Sequence, residues 1–174
     1  NVTPLACRTA LGRRGVAHIN FPVDLQDQEM GDASRSPRNI PQHEQGAFAR
    51  RAAIPDEEDL RAAAAVLNKG KKIGILAGQG ARRARKELLA VADTLGAPIM
   101  KALLGKSVVP DDHPLTTGSV GLLGTAPSFE VMDDCDTLLI VGSSFPYIEF
   151  MPKPGQAKCV QIDIDPIRIG LRYP

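Results

Sequence analysis

The chain contains no tryptophan and few other aromatic residues, with two tyrosines and five phenylalanines among its 174 residues. Its formal net charge at pH 7 is only +1. Proteins that bind nucleic acid usually combine a strong positive field with aromatic rings on which bases stack. We therefore exclude nucleic acid as a partner.

Cysteine is also scarce, and Cys7, Cys135 and Cys159 lie far apart without a CxxC pair. Such a set predicts reduced, packed thiols rather than disulfides or a metal site, and favours a cytoplasmic protein. No apolar run approaches the ~20 residues of a membrane span, and the N-terminus lacks a signal-peptide pattern. Because the chain starts at Asn1 rather than methionine, we expect it to be a piece of a longer protein.

The most informative feature that is present lies at residues 158–166, where an alternating strand runs into two carboxylates and a proline. By the period of two, this strand has an apolar and a polar face. The apolar face comprises Val160, Ile162 and Ile164, and the polar face comprises Gln161, Asp163 and Asp165. Ligands of open α/β sheets bind beyond the carboxyl ends of the strands, where a carboxylate suits a ribose or an adenine. The alternative is that both aspartates only begin a turn and cap the next helix at Pro166.

The N-terminal third of the chain reads as a fragment followed by a linker. Pro4 to Leu11 is typical of the last turns of a helix closed by Gly12, and Val16 to Phe21 of a short strand ended by Pro22. Residues 24–54 are rich in Asp, Gln, Ser, Arg, Gly and Pro with little periodicity, which predicts a linker. A lone helix and strand cannot fold alone, so we place a domain boundary in this linker.

From residue 55 onwards, strand patterns alternate with helix patterns. A helix capped by Asp56 carries an apolar stripe of Leu60, Ala64 and Leu67 and ends before Gly70. The later strands are predicted at Lys72–Ala77, Pro98–Lys101, Leu138–Val141 and around Val160, and the later helices at Arg82–Leu95 and Pro127–Asp134. This alternation predicts the α/β class, with a doubly wound, Rossmann-like parallel sheet covered by helices on both faces.

A glycine motif, Gly-Gln-Gly-Ala-Arg-Arg-Ala at residues 78–84, follows the first of these strands. This G-x-G-x-x-A pattern between a strand and a helix is typical of a phosphate-binding turn of dinucleotide-binding domains. A plain turn that requires glycine is the alternative. A nicotinamide site would require an acidic residue about 20 residues after this motif, to bind a ribose, and the chain has none there. The acidic residue that could bind a ribose comes much later, at Asp163.

Four cations crowd the start of the helix that follows the motif: Arg82, Arg83, Arg85 and Lys86. The helix dipole disfavours positive charge at this end, so an anion bound nearby would relieve the conflict. A solvated basic face explains the same residues without a ligand.

Two further loops leave strand ends. Residues 118–124, Gly-Ser-Val-Gly-Leu-Leu-Gly, precede a helix, and residues 142–147, Gly-Ser-Ser-Phe-Pro-Tyr, follow the most apolar strand. Either loop alone could be an ordinary connection. Because the carboxyl ends of parallel strands meet at one edge, we expect both loops, the glycine motif and Asp163 to converge on one crevice.

In combination, these motifs resemble the central domain of thiamine-diphosphate enzymes, most closely the flavin-dependent pyruvate oxidase and pyruvate:quinone oxidoreductase branch. The resemblance covers residues 55–174 and includes Lys-Ala-Leu-Leu-Gly-Lys at 101–106 and Gln-Ile-Asp-Ile-Asp-Pro at 161–166. Residues 1–23 resemble the last helix and strand of the preceding, pyrimidine-binding domain.

The central domain of that branch holds FAD. The resemblance implies that Gly78 and Gly80 lie along the ADP portion of FAD and that Asp163 binds the adenosine ribose, with Asp165 as a second candidate. It implies flavin-side backbone contacts from Val120, Gly121, Leu122 and Leu123, and a cofactor lining made of Ser143, Ser144, Phe145, Pro146 and Tyr147.

The reaction of that branch decarboxylates a 2-keto acid on thiamine diphosphate, and the flavin then passes two electrons to quinone or oxygen. Thiamine diphosphate and Mg²⁺ are held by a glutamate and a Gly-Asp-Gly…Asn-Asn motif of other domains, which this chain lacks. His18, His43 and His113 lie too far apart in sequence to suggest a catalytic triad. We therefore expect this chain to be inactive by itself. We expect activity in the full-length protein, as a homo-oligomer that is a dimer or a tetramer. Contact with quinone or with a membrane surface is expected only for that full-length protein.

Two other functions remain open at this stage. One is a carboligase of the acetolactate synthase type, in which the flavin is structural. The other is a scaffold domain at a subunit interface that binds no cofactor. The glycine loops argue against the scaffold, because a domain without a ligand does not need several points of close backbone approach.

Overall fold

The computed structural model describes residues 2–29 and 54–174, which belong to two compact units divided between Ala53 and Ile54. In the first unit, helix α1 spans Val2–Arg13 and helix α2 spans Val23–Gln26. The predicted helix at Pro4–Leu11 is confirmed, but Gly12 does not close it. The chain instead turns at Arg14, whose φ is 50°, and the Gly15 N–H donates to the Ala10 carbonyl at 3.0 Å. Most of the predicted linker, residues 30–53, lies outside the described residues.

The strand predicted at Val16–Phe21 is wrong, because these residues form neither helix nor strand. A strand requires a neighbour that shares its backbone hydrogen bonds, and no such neighbour lies among residues 2–29. Val16 is 99% exposed and Phe21 is 61% exposed. The apolar pattern therefore identified side chains suited to burial but not a surface that buries them.

The second unit is built from three longer helices and five strands. The helices are α3 (Glu57–Lys69), α4 (Arg85–Leu95) and α5 (Ala126–Asp134). The strands are β1 (Ile73–Ala77), β2 (Ile99–Lys101), β3 (Thr116–Ser119), β4 (Thr137–Val141) and β5 (Lys158–Ile162). All neighbouring strands pair in parallel, in the order β3-β2-β1-β4-β5. The predicted doubly wound α/β sheet is therefore confirmed.

The strand order fixes where a ligand can bind. The chain runs from β1 outward through β2 to β3, then returns to β4 on the other side of β1 and continues to β5. The direction of winding reverses between β1 and β4. The loops after these two strands therefore diverge at a topological switch point, where open α/β sheets place their ligands.

Apolar side chains cover both faces of the sheet. On one face, Ile75 of β1 packs in a cluster with Leu88 and Ala92 of α4. On the other face, Leu76 of β1 packs in a cluster with Met132 of α5 and Leu138 of β4. β1 and β4 are buried on both sides, which explains why they read in sequence as continuous apolar runs.

Helix α3 begins where predicted but buries a different stripe. The Asp56 carboxylate accepts the Asp59 N–H at 2.9 Å, which confirms the N-cap. The residues that pack on the core are Ala63, Val66 and Leu67, whereas the predicted Leu60 is 53% exposed. The two stripes share Leu67, but their centres differ by roughly 70° about the helix axis at 100° per residue, because an alanine-rich sequence does not define the apolar face.

The predictions also require correction at three other elements. A 3₁₀ helix, Gln79–Ala84, occupies the first turn of the predicted helix Arg82–Leu95. Strand β3 was not predicted, because Thr-Thr-Gly-Ser is short and lacks apolar alternation. Strand β5 ends at Ile162 rather than at the aspartates, since β4, its one neighbour among the described strands, ends opposite Ile162 at Val141. Ile162 and Ile164 are about half exposed, so the predicted apolar face is buried only at Val160.

All three cysteines are free thiols, but the prediction that they are packed is wrong for Cys7, which is exposed on α1. Cys135 is buried at the end of α5, and Cys159 packs against the same core cluster from β5. Burial raises the pKa of each of these two thiols from an ordinary value of 9.0 to about 11. Both groups are therefore neutral at physiological pH.

We expect Cys135 and Cys159 to resist iodoacetamide in the native protein at mildly alkaline pH and to react once the protein is unfolded, because the thiolate is the nucleophile. Their pKa values are raised by folding, so the stability they contribute is complete below pH 9 and declines as pH rises toward 11. Differential alkylation followed by peptide mass mapping measures this. Labelling of either residue at the same rate before and after unfolding would contradict the burial.

Candidate functional site

The carboxyl ends of the strands surround one cleft with a volume of about 930 Å³. This lies near the upper end of the ~300–1,000 Å³ typical of small-molecule sites. Its walls come from the loops after β1, β2, β3, β4 and β5. The prediction that the glycine motif, the two loops and Asp163 converge on one crevice is therefore confirmed.

Twelve of the thirteen residues predicted to contact a cofactor line this cleft. They are Gly78, Gly80, Val120, Gly121, Leu122, Leu123, Ser143, Ser144, Phe145, Pro146, Tyr147 and Asp163. Asp165 does not line it. Their role in binding a flavin stays a prediction.

The glycine motif packs against another loop rather than leaving an open cradle. The Gly80 N–H donates to the Gly142 carbonyl at 2.9 Å, and a Cβ placed on Gly80 would lie 2.7 Å from the Gly142 Cα. Gly142 itself has a φ of 58°, which favours glycine. These glycines are therefore required by the contact between the loops after β1 and β4, with or without a ligand. The argument that they exclude a cofactor-free scaffold is wrong for this reason.

The loop after β3 lines the cleft and has unpaired backbone donors among the described residues. The N–H groups of Gly121, Leu122 and Leu123 donate to no backbone carbonyl of the described residues. Gly121 has a φ of 112°, and a Cβ placed on it would lie 3.4 Å from the Phe145 ring. The loop is therefore held in a left-handed turn against an aromatic side chain while its amide groups remain available.

Aromatic rings form the wall after β4. Phe145 and Tyr147 meet edge to face with ring centroids 5.5 Å apart, and Tyr147 and Phe150 do so at 6.3 Å. Phe145 is 7% exposed and Tyr147 is 43% exposed. A buried ring thus supports a more exposed one that lines the cleft, which suits a flat ligand.

The two aspartates after β5 have different roles. Asp163 lines the cleft, and its Oδ1 accepts the Asp165 N–H at 3.0 Å, while its Oδ2 accepts no hydrogen bond from the described residues. Asp165 caps the 3₁₀ helix Pro166–Arg168, since its Oδ1 accepts the Ile167 N–H at 3.2 Å. The turn-capping alternative therefore describes Asp165, and Asp163 combines a turn contact with one oxygen that remains available.

Two cations line the cleft that the sequence analysis did not single out, Lys106 and Arg168. Arg168 Nε lies 3.3 Å from Asp165 Oδ2. The four cations predicted to mark an anion site do not line the cleft. Arg85 donates to the carbonyls of Ser107, at 2.6 Å, and Val108, and the other three are exposed. Periodicity in the sequence does not identify Lys106 as a cleft residue, but its position shortly after the end of a predicted strand could have done so.

Within residues 2–29 and 54–174, no cluster of His, Cys, Asp or Glu side chains is arranged to hold a metal ion. None of the helices described in these ranges is both long and apolar enough to cross a bilayer. The chemistry of the cleft is that of a binding site: apolar and aromatic walls, backbone donors, one carboxylate and two cations.

The family model for the central domain of thiamine pyrophosphate enzymes matches residues 60–174. The chain is 39% identical over 169 residues to a Bacillus subtilis protein named "Putative thiamine pyrophosphate-containing protein YdaP", covering 97% of this chain and 28% of that protein. It is 32% identical over 174 residues to pyruvate oxidase of Lactiplantibacillus plantarum, covering 97% of this chain and 27% of the oxidase. Acetolactate synthases are also among its relatives.

A solved structure of "a putative thiamin diphosphate-dependent enzyme isolated from Mycobacterium smegmatis" superposes with a TM-score of 0.56 and 27% identity, over 74% of this chain and 27% of that one. The fold defines an open, parallel α/β domain with a cleft at its switch point. The chain belongs to the thiamine pyrophosphate enzyme family, as its central domain. It spans little more than a quarter of the length of YdaP and of the pyruvate oxidase.

We expect Gly80→Ala to destabilise the protein by ~1–3 kcal/mol, the usual cost of overpacking, because the new Cβ would meet the backbone at Gly142. Gln79→Ala is the matched control, since Gln79 is exposed in the same loop; its effect should stay within ~0.5 kcal/mol. Thermal and urea unfolding without added ligand measure both variants. Equal stability of Gly80→Ala and wild type would contradict the loop contact.

Proposed function

We propose that this chain is the FAD-binding central domain of a longer thiamine-diphosphate enzyme that oxidatively decarboxylates pyruvate and passes electrons through the flavin to quinone or oxygen. The observation that carries the proposal is the cleft at the switch point, which combines unused backbone donors, an available carboxylate oxygen and an aromatic wall. Residues 1–23 would end the preceding domain, and residues 24–54 would link the two. We propose a cytoplasmic homo-oligomer.

The residues present fit FAD along its length. The Oδ2 of Asp163 can accept hydrogen bonds from ribose hydroxyl groups, which a neutral apolar wall could not. The free N–H groups of Gly121, Leu122 and Leu123 can donate to the carbonyl and nitrogen acceptors of a flavin ring. Tyr147 offers an aromatic contact to a flat ring system, and the two cations suit the diphosphate.

When bound, FAD would supply the two-electron chemistry that follows decarboxylation. The part of this chain is to bind the cofactor and to orient it. Gly121 packs close to the Phe145 ring, and this contact supports the loop that carries the donors. The Asp163 carboxylate is held by the Asp165 N–H, which donates to its Oδ1 and leaves Oδ2 available.

Acetolactate synthase activity is the second candidate, and the presence of such enzymes among the relatives favours it. The cleft would bind FAD in both cases, so its residues do not separate an oxidase from a carboligase. The cofactor-free scaffold is disfavoured by the backbone donors at residues 121–123 and by the Oδ2 of Asp163, which have no hydrogen-bond partner among the described residues. The glycine loops no longer contribute to that choice.

We expect the full-length protein to purify yellow with noncovalently bound FAD, which denaturation releases into the supernatant. Anaerobic addition of pyruvate, thiamine diphosphate and Mg²⁺ should then bleach the flavin absorption, since an oxidase reduces its flavin in a single turnover. Released FAD without bleaching would favour the carboligase. A supernatant that lacks flavin, from protein that also fails to take up added FAD, would favour the scaffold.

We expect Asp163→Asn to weaken FAD binding by ~1.5–3 kcal/mol, the contribution of a charge-assisted hydrogen bond. The asparagine oxygen can still accept the Asp165 N–H, so the free energy of unfolding of the apoprotein should change little. Titration of FAD into the apoprotein, with thermal unfolding in parallel, measures both quantities.

Asp165→Asn is the matched control, because the same change of charge occurs two residues away and outside the cleft. It should leave FAD affinity close to wild type and reduce stability by at most ~1 kcal/mol, the usual range for a cap. Unchanged flavin affinity for Asp163→Asn would remove the ribose-binding role of Asp163.

A further inference from the structure

A buried cation anchors the segment that follows β2. Lys101 ends this strand with a fully buried side chain, and its Nζ donates to the Val109 carbonyl at 3.0 Å and to the carboxylate of Asp111. A buried ammonium without partners costs several kcal/mol, so these contacts fix the position of residues 109–111 relative to the sheet. Arg85 holds the same segment from α4 through the Ser107 and Val108 carbonyls.

The carboxylate of Asp111 joins this anchor to the cleft. Its other oxygen accepts a hydrogen bond from Lys106 Nζ at 3.0 Å. The hydrogen bond from Lys101 holds the pKa of Asp111 below its ordinary value, so Asp111 is an anion at neutral pH. Asp111 does not line the cleft, whereas Lys106 does.

The backbone places Lys106 beside the glycine motif. Gly105 precedes it, and a Cβ on Gly105 would lie 3.0 Å from the Gly78 Cα. The Ala102 N–H donates to the Ala77 carbonyl at 3.0 Å, which holds the start of this segment against the end of β1. Lys106 is therefore the cation of the cleft that adjoins the loop expected to follow the ADP portion of a dinucleotide.

We propose that Lys106 binds the diphosphate of the nucleotide in this cleft, and that Asp111, anchored by Lys101, is a positioning residue that holds the Lys106 ammonium at the cleft wall. The proposal rests on the proposed function in that the cleft binds a dinucleotide. An ammonium has three N–H donors, so Lys106 keeps its bond to Asp111 and has two donors for phosphate oxygens. Because Lys101 and Arg85 both hold residues 107–111, little conformational freedom remains to be lost when the anion binds.

Lys106→Met, Lys106→Arg and Lys158→Met in the full-length apoprotein test the proposal, with ADP and FAD as probes and titration calorimetry as the measurement. Lys158 is the matched control, since it is an exposed lysine at the start of β5, on the edge of the sheet opposite the cleft. We expect Lys106→Met to raise the Kd of both ligands roughly 10- to 100-fold, the range of a charge-assisted hydrogen bond. Lys106→Arg should recover most of the affinity, and Lys158→Met should match wild type.

Salt dependence separates a direct contact from a general effect on the fold. The wild-type affinity for ADP should fall as salt rises, and the fall should be shallower in Lys106→Met, because one screened ion contact is gone. Asp111→Asn should also weaken ADP binding, but not when Lys106 is already methionine, since its effect passes through that lysine. A purely structural Asp111 would lower the unfolding temperature and leave ADP affinity and its salt dependence unchanged.

The outcomes distinguish this inference from the proposed function. If wild type binds FAD and ADP and Lys106→Met binds both as tightly, the role of Lys106 is overturned and the flavin proposal stands. If ADP binds in a Lys106-dependent way and FAD does not bind, the flavin proposal fails and the diphosphate site stands. If neither ligand binds wild type, both are overturned.

Discussion

The close contact between the turns after β1 and β4 is the constraint on which the rest of the cleft depends. The backbone hydrogen bonds of the sheet continue past the strand ends: the Gly80 N–H donates to Gly142, and the Gly142 N–H donates to the Ile162 carbonyl at 2.8 Å. Three strands are thus joined at the level where their loops begin. Only glycine, which has no Cβ, fits where the turns after β1 and β4 meet. This contact therefore fixes the positions from which the loops that form the cleft walls begin.

Beyond this contact, the walls after β2, β3 and β5 are each stabilised by a different interaction. A buried ammonium holds the wall after β2, a left-handed glycine packed on an aromatic ring shapes the wall after β3, and an aspartate cap orders the turn after β5. Because each of these devices uses only a few residues, other side chains of the walls can change without loss of the sheet. This tolerance is consistent with a family whose members share the central domain and differ in the reaction they catalyse.

The sequence predicted the parts of the fold that burial dictates. Strands β1 and β4 were recognised because both of their faces are apolar, and the shared edge of a parallel sheet brought the predicted loops together. The sequence failed where strand pairing decides the structure. Residues 16–21 have the pattern of a strand but no pairing strand in the described part of the chain, whereas β3 has a pairing strand but not the pattern. Glycine was equally ambiguous, since a sequence shows that a Cβ is missing but not whether a ligand or another loop takes its place. Lys106 and Arg168 escaped notice because charges in irregular segments carry no periodicity.

Four leucines at the cleft, Leu103, Leu104, Leu122 and Leu123, are between 66% and 80% exposed. A ligand that covers them removes apolar surface from water, and such burial gives association a negative heat capacity change. The enthalpy of binding at this cleft then becomes more favourable as temperature rises, while the entropic gain shrinks. For any ligand of this cleft, the four leucines therefore set how the affinity responds to temperature.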